Sequence, residues 1–479
     1  MTSAVAQSGF MRQHQYMRSV RVGVFAAFAA VLTAMGAPPA SAARGPETAV
    51  QRLHRKGVQC MDVIEREDCA IENFEAVLEE RTTERELVSD SMLRLVKLYR
   101  HQADHDAVKD VMRQFWDVGM KRRSLGHLPY GARFFGEEFD ILMVADMQAV
   151  AEAPLTHHFA DYAEMFFTCD ELHRGDVKEQ IRWKRARRKA QLTGRKPYEI
   201  IYEEMDERER QYQEYKKRRD RTEPPGARDD DGDLQEPVFA VATCPLARAL
   251  GDDDLRAWGR VAGAMNHDNF SRSMAALQIP DLDKKTKAAV ESGALQAIGP
   301  DRWVLPEVDH QGHKVHIAKT DLDEVVMAPD HLIGAVLEAR RQRKVQLHKD
   351  IVKLVKETPR DATFFAVVTK EAMAGMGFAG MRKSTAGFLQ SLLPKPKGLQ
   401  VATLIHDDLG FFTRMPTDNP VKAKMLINIA QLVIDGQTSD NRQVEQMLRH
   451  LDIAEANDKR ALLLTYLLTP GDIQKMIDF

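Results

Sequence analysis

Two short stretches carry residue types that do chemistry in other settings. The segment GMGFAG (residues 375–380) has the GxGxxG spacing by which a backbone approaches a dinucleotide pyrophosphate. The predicted strand before it ends near Thr369, so a helix begins ahead of the first glycine, and no strand with a ribose-binding acid follows at the expected distance. Close helix packing is the expectation there. The segment DHQGHKVH sets Asp309, His310, His313 and His316 about one tight turn, where imidazoles could converge on Zn²⁺ or Cu²⁺. Strand alternation sends His313 and His316 to opposite faces, so the turn reads as polar and exposed, with no metal. No cofactor is expected.

Other fragments carry less. Ser439–Asn441 echoes one element of the serine β-lactamases and penicillin-binding proteins, but their nucleophilic SxxK and KTG are missing, and an N-cap suffices. DDDGD (residues 229–233) lacks the first ligand and terminal Glu of an EF-hand loop. Arg174–Asp176 spells RGD without further context. GxSxG, HExxH and a Walker loop are absent, which leans the reading away from an enzyme.

The strongest compositional anomaly is basic. Residues 182–196 hold eight cationic side chains (Arg182, Lys184, Arg185, Arg187, Arg188, Lys189, Arg195 and Lys196) and no acid. With Trp183 and Tyr198 beside it, the block could grip an anionic envelope surface, or fold back on the acidic-then-basic stretch 202–221 as a charged helical hairpin. Pro224, Pro225 and Gly226 then break any helix, giving an exposed linker.

The elements that must position these residues begin after an export signal. Arg12, Arg18 and Arg21 precede an apolar stretch (residues 22–37), and Ala40–Ala42 supplies the small residues of a cleavage site after Ala42. The mature protein is therefore expected in the periplasm or outside the cell, with no integral membrane segment and with nucleic acid an improbable partner. Cys60, Cys69, Cys169 and Cys244 remain, and in an oxidising compartment four cysteines imply two bridges. CMDVIEREDC reads as helix, turn, helix, which favours Cys60 with Cys69 and leaves Cys169 for Cys244; free buried thiols are the alternative. The net charge of −3 over 479 residues selects no partner.

From residue 47 to 118 the apolar spacing is helical: Leu87, Met92, Leu95, Val96 and Tyr99, then Ala107, Val108, Val111, Met112 and Phe115 after a polar turn. The preceding stretch has the same form, with Ala70 standing where Ala107 stands. On Ala70, Ala107 and Tyr99, and on a displacement near the roughly 34-residue period, this region resembles the tetratricopeptide repeats. The resemblance covers about two hairpins and implies a groove that binds peptide.

The C-terminal half is expected to be duplicated. PVFAVATC (from Pro237) and ATFFAVVTK (from Ala362) both read as a strand feeding a helix, and FDILMVAD (residues 139–146) is a faint third version. Hairpins follow in both copies, which implies antiparallel sheets. In the second copy Asn419 caps a helix that starts at Pro420, presents Val421, Met425, Ile429 and Leu432 as its face, and ends at Gly436. The expected fold class is thus α+β: a signal peptide (1–42), a tetratricopeptide-like helical region (43–135), a strand-helix unit (136–173), a charged arm and linker (174–233), and two strand-helix-hairpin-helix modules (234–350 and 351–479). The expected role is an exported, non-enzymatic protein-interaction or envelope-scaffold protein. Its rival is a small-ligand receptor or hydrolase-type enzyme with a pocket between the modules.

Overall fold

The structure is a computed structural model that describes residues 47–80, 84–117, 124–222, 237–269, 272–310, 312–360, 362–375, 396–405, 408–438, 451–456 and 458–478. The expected signal peptide, the linker 223–233, residues 376–380 of the glycine motif and Ser439–Asn441 lie outside the described residues. The chain divides into two compact units, Met1–Thr82 and Thr83–Phe479. None of the described helices is long and apolar enough to cross a membrane.

The first unit is a helical hairpin of α1 (Ala49–Asp62) and α2 (Glu67–Glu79). Thr48 and Gln51 form a reciprocal capping box that satisfies the first free N–H groups of α1. Ala70, Phe74 and Val77 are fully buried, and Phe74 lies so close to Gly57 that a Cβ there would meet its ring at 2.6 Å. Cys60 is bonded to Cys69 across the turn.

The second unit is built on one twelve-stranded sheet in which every described pairing is antiparallel, ordered β11-β12-β10-β9-β8-β1-β2-β3-β7-β6-β5-β4. Its first half holds β1 (Ile141–Asp146), β2 (Arg260–Met265), β3 (Ser273–Gln278), β4 (Gln296–Gly299), β5 (Arg302–His310), β6 (His313–Asp321) and β7 (Glu324–Pro329). The second half holds β8 (Phe364–Thr369), β9 (Gly398–Ile405), β10 (Leu409–Pro416), β11 (Leu451–Glu455) and β12 (Ala461–Leu468).

The order itself reveals the duplication. From the centre outward, β1-β2-β3-β7-β6 repeats as β8-β9-β10-β12-β11, and the halves join where β1 pairs with β8. The repeat therefore differs from the one that sequence similarity points to. PVFAVATC is a helix, α10 (Val238–Ala249), with Val238, Ala242 and Leu246 buried at four-residue spacing against β3, β5 and β7. Tertiary burial overrides its local strand preference. The true partner of β8 is β1, the faint third copy.

Helices cover both faces of the first half. After β1 come α5 (Met147–Glu152), α6 (Pro154–His158), α7 (Ala160–Phe167), α8 (Glu171–Thr193) and α9 (Pro197–Thr222). Gly263 carries no Cβ because the Phe239 ring of α10 occupies that space at 2.9 Å. α11 (Leu282–Glu291) follows β3, and α12 (Asp330–Gln342) packs on β6 and β7. The second half carries α13 (Lys349–Glu357), α14 (Lys370–Gly375), α15 (Pro420–Thr438) and α16 (Pro470–Asp478).

Asn419 caps α15, its Oδ1 accepting from the Lys422 N–H at 3.0 Å, as expected. The helix runs past Gly436 to Thr438, and its buried face is Ala423, Leu426 and Ile427. The expected face is the other one: Val421 and Leu432 are exposed, at 78% and 74%. Both stripes have helical spacing, and the sheet covers only one.

The hairpin of α3 (Arg85–His101) and α4 (His105–Asp117) belongs to this second unit. Arg113 of α4 grips the Asp452 carboxylate of β11 with Nε and Nη2 at 2.7 and 2.8 Å, Arg100 reaches Asp408 at 2.7 Å, and Trp116 lies against Phe412. A bidentate guanidinium-carboxylate pair fixes orientation as well as distance. The expected helical region 43–135 thus spans both compact units, and its second hairpin is docked on the sheet.

Candidate functional site

The charged arm is a helical hairpin. Asp170 caps α8 through the Leu172 N–H, Gly194 ends it in the left-handed conformation at φ 67°, and Pro197 opens α9. Ala186 and Ala190 pack on Ile200 and Ile201, so the two helices meet through a small apolar seam. Ion pairs flank it: Lys189 with Glu204 at 3.4 Å, and Arg195 with both oxygens of Glu203 at 2.8 and 2.5 Å. The Arg195 pair holds the exposed Glu203 carboxyl below its usual range. Arg182 meets Glu179, and Lys196 lies 5.6 Å from the Tyr198 ring centre. The basic block does fold back on the acidic one, and Arg182, Lys184, Lys189 and Arg195 each meet a neighbouring carboxylate.

Three of the block's cations gather at the root of the arm. Lys184, Arg185 and Arg188 line a cavity of about 330 Å³ with Ile181, with His158, Phe159, Asp161 and Tyr162 from α6, α7 and their junction, and with Gln474 of α16. Lys184 is paired with Asp161, and the Arg185 Nε is buried without a hydrogen-bond partner. Three cations and one carboxylate line it, with the rings of Phe159 and Tyr162 beside them. The i, i+1, i+4 spacing of Lys184, Arg185 and Arg188 is legible in the sequence; the wall from residues 158–162 is not, because no charge pattern marks it. Cys169, just after α7, is bonded to Cys244 of α10, which ties this wall to the sheet's covering helix. The two bridges of the chain fit an oxidising compartment.

The three candidate histidines do not converge. His310 is buried at 4%, His316 is half-buried, and His313 is exposed at the turn. Burial pushes the His316 imidazole pKa down, with the Asp330 carboxylate opposing and Arg302 assisting. His313 instead meets residues from the start of α12: its Nδ1 lies 2.9 Å from Asp330 Oδ1, and His331 Nδ1 lies 3.5 Å from the same oxygen. The Asp330 carboxyl is lowered: against its desolvation, the His331 backbone N–H and both imidazoles stabilise the anion.

A second imidazole-carboxylate pair joins His267 to Asp140, both nearly buried. Asp140 accepts from the His267 N–H through Oδ1 at 3.0 Å, while the far ring nitrogen lies 3.0 Å from Asp268. The pair ties the loop after β2 to the entry of β1.

Two further cavities flank the second half of the sheet. One of about 180 Å³ sits where β1 meets β8 and is lined by His127, Asp146, Arg260, Arg360 and Thr363. The other, about 370 Å³, surrounds Arg414, whose guanidinium is held by Glu357 at 2.9 Å, Gln400 Oε1 at 3.0 Å and Asp458 at 2.6 Å. These residues are scattered along the chain, and their convergence is a product of the sheet alone. Compared with known proteins, the chain matches no family model, no curated protein and no solved structure.

Proposed function

We propose that the protein is an exported, non-enzymatic interaction protein of the cell envelope, and that the root of its charged arm takes an acidic segment of a partner protein. The observation that carries the reading is the cavity in which Lys184, Arg185 and Arg188 stand against Phe159 and Tyr162. The Arg185 guanidinium is only partly exposed, and such a group binds a carboxylate more strongly than a fully solvated one; aromatic walls supply the apolar area that specific peptide recognition needs. The exposed stripe Val421, Met425 and Leu432 on α15 supports a protein partner as well. The tetratricopeptide resemblance of the helical hairpins points the same way.

The test is an anisotropy titration of the chain from Ala43 with a fluorescent oligoglutamate peptide carrying one aromatic residue. Saturable binding that weakens with salt and is lost in Arg185→Glu/Arg188→Glu is the expected result. Equal binding by the charge-reversed variant would remove the arm from consideration. A receptor for a small anion is the second reading, favoured by Arg260 and Arg360 in the cavity between the two halves. It predicts a thermal shift with small carboxylates or phosphates that is indifferent to the arm substitutions.

A further inference from the structure

The turn between β5 and β6 is fixed by chemistry written into DHQGHKVH. Asp309 Oδ1 accepts the Gly312 N–H at 2.6 Å, and Gly312 adopts φ 78°, a conformation that glycine takes at no steric cost. This tight reversal starts β6 at His313. On the neighbouring strand, Pro329 ends β7 opposite Val315, so the two residues that follow it, Asp330 and His331, come alongside the first residues of β6. Three side chains thereby meet on the start of a strand and the first turn of a thirteen-residue helix, both regular elements rather than loops.

Their separations have a chemical meaning. One ligand atom from each of His313, Asp330 and His331 lies within 4.8 Å of the other two, and the two rings are 4.4 Å apart at 50°. Tetrahedral Zn²⁺ with bonds near 2.0–2.1 Å puts neighbouring ligand atoms about 3.3 Å apart. The two imidazole-to-carboxylate distances, 2.9 and 3.5 Å, bracket that value. Two nitrogen donors and one carboxylate suit a first-row divalent ion, whereas Ca²⁺ and Mg²⁺ select oxygen-only sites. All three side chains are exposed, so an ion has a direct path in.

We propose that His313, Asp330 and His331 form a Zn²⁺ site with a fourth coordination position open to water. The site lies outside the arm and stands independently of the function proposed above. His316, half-buried on the same strand, is not a ligand.

The experiment is calorimetric titration of the metal-free chain with Zn²⁺, alongside His313→Ala, His331→Gln, Asp330→Asn and His316→Ala. One equivalent is expected to bind the unsubstituted chain and the His316→Ala control, without competition from excess Mg²⁺ or Ca²⁺. Each ligand substitution is expected to weaken binding by at least about tenfold. Thermal stability of the metal-free forms should fall by no more than an exposed ion pair is worth, since every ligand is exposed; this separates a lost ligand from a lost fold. Absence of saturable binding, or an affinity in His313→Ala or His331→Gln equal to that of the unsubstituted chain, overturns the site.

Discussion

Asp146 and Thr369 play the same part in the two halves of the sheet. Each ends the innermost strand of its half, and each caps the next helix, Asp146 Oδ1 accepting from Ala149 N–H at 3.0 Å and Thr369 Oγ1 from Ala372 N–H at 3.3 Å. The Asp146 N–H donates to Thr363 O at 2.8 Å, and the Thr369 N–H donates to Asp140 O at 2.9 Å. Midway between them Met143 faces Ala366, its own counterpart. A local two-fold axis through that pair relates β1 to β8.

Removing either cap should therefore have a similar cost. Thr369→Val keeps the shape of a fully buried side chain and deletes the acceptor, and is expected to cost about 1 kcal/mol in urea unfolding. Asp146→Ala should cost at least as much, because it also loses the Arg260 contact at 3.4 Å. A loss confined to one of the two would show that the halves differ in how they hold the seam.

Glu324 gives a pH signature. Burial raises its carboxyl above the ordinary 4.5, against the N–H groups of Tyr130 and Gly131 and the Thr320 hydroxyl that favour the anion. The folded chain thus holds this proton more tightly than the unfolded one. The contribution to stability is full below the ordinary value and is lost as pH rises through the raised folded value. The stability difference between the unsubstituted chain and Glu324→Gln should move against the glutamate as pH rises from 4 to 7. A slope of opposite sign would mean that the two N–H donors outweigh burial.

Arg414 is the best-packed cation in the sheet, with its side chain 10% exposed. Arg414→Met fills the space but leaves Gln400 Oε1, Glu357 and Asp458 without their shared donor. Breaking such a network from one side costs about 3–5 kcal/mol, and the partial exposure of Glu357 and Asp458 sets the expectation near 3. Guanidinium-chloride unfolding measures it, and a loss below about 1 kcal/mol would show that water replaces the arginine without penalty.

The Cys169–Cys244 bridge closes a separation of 75 residues that includes the whole arm. In the chain-entropy account its removal costs about 4.5 kcal/mol. Cys169→Ala/Cys244→Ala should lower the unfolding midpoint strongly, and proteolysis should then cut first within residues 171–249. Unchanged stability would show that the α7–α10 contact is held by packing alone.

Much of this was readable from local pattern. The Cys60–Cys69 bridge, the arm hairpin, the β5–β6 and β9–β10 hairpins and the Asn419 cap depend on residues close in sequence, and Cys169–Cys244 follows by elimination once the first pair is assigned. The duplication was legible in kind but misaligned: α10 shares Phe-Ala-Val with β8, whereas β1 shares with it a place and a capping role, filled by aspartate in one case and threonine in the other. The choice between the two apolar faces of α15 depends on which one the sheet covers, which periodicity does not encode. Among the histidines, alternation sets His313 apart from His316, but the partners of His313 lie 17 residues or more away, beyond a strand reversal and the start of a helix.

The seam between β1 and β8 also closes an edge. In chain order β1 to β7 are all written by residue 329, whereas β8, which covers the second edge of β1, comes only at residues 364–369. An unpaired edge with buried-type side chains on both sides recruits other chains. By pairing with β1, β8 covers an edge that the first half would otherwise present at the centre of the sheet, so the second half shields the first from strand-to-strand association.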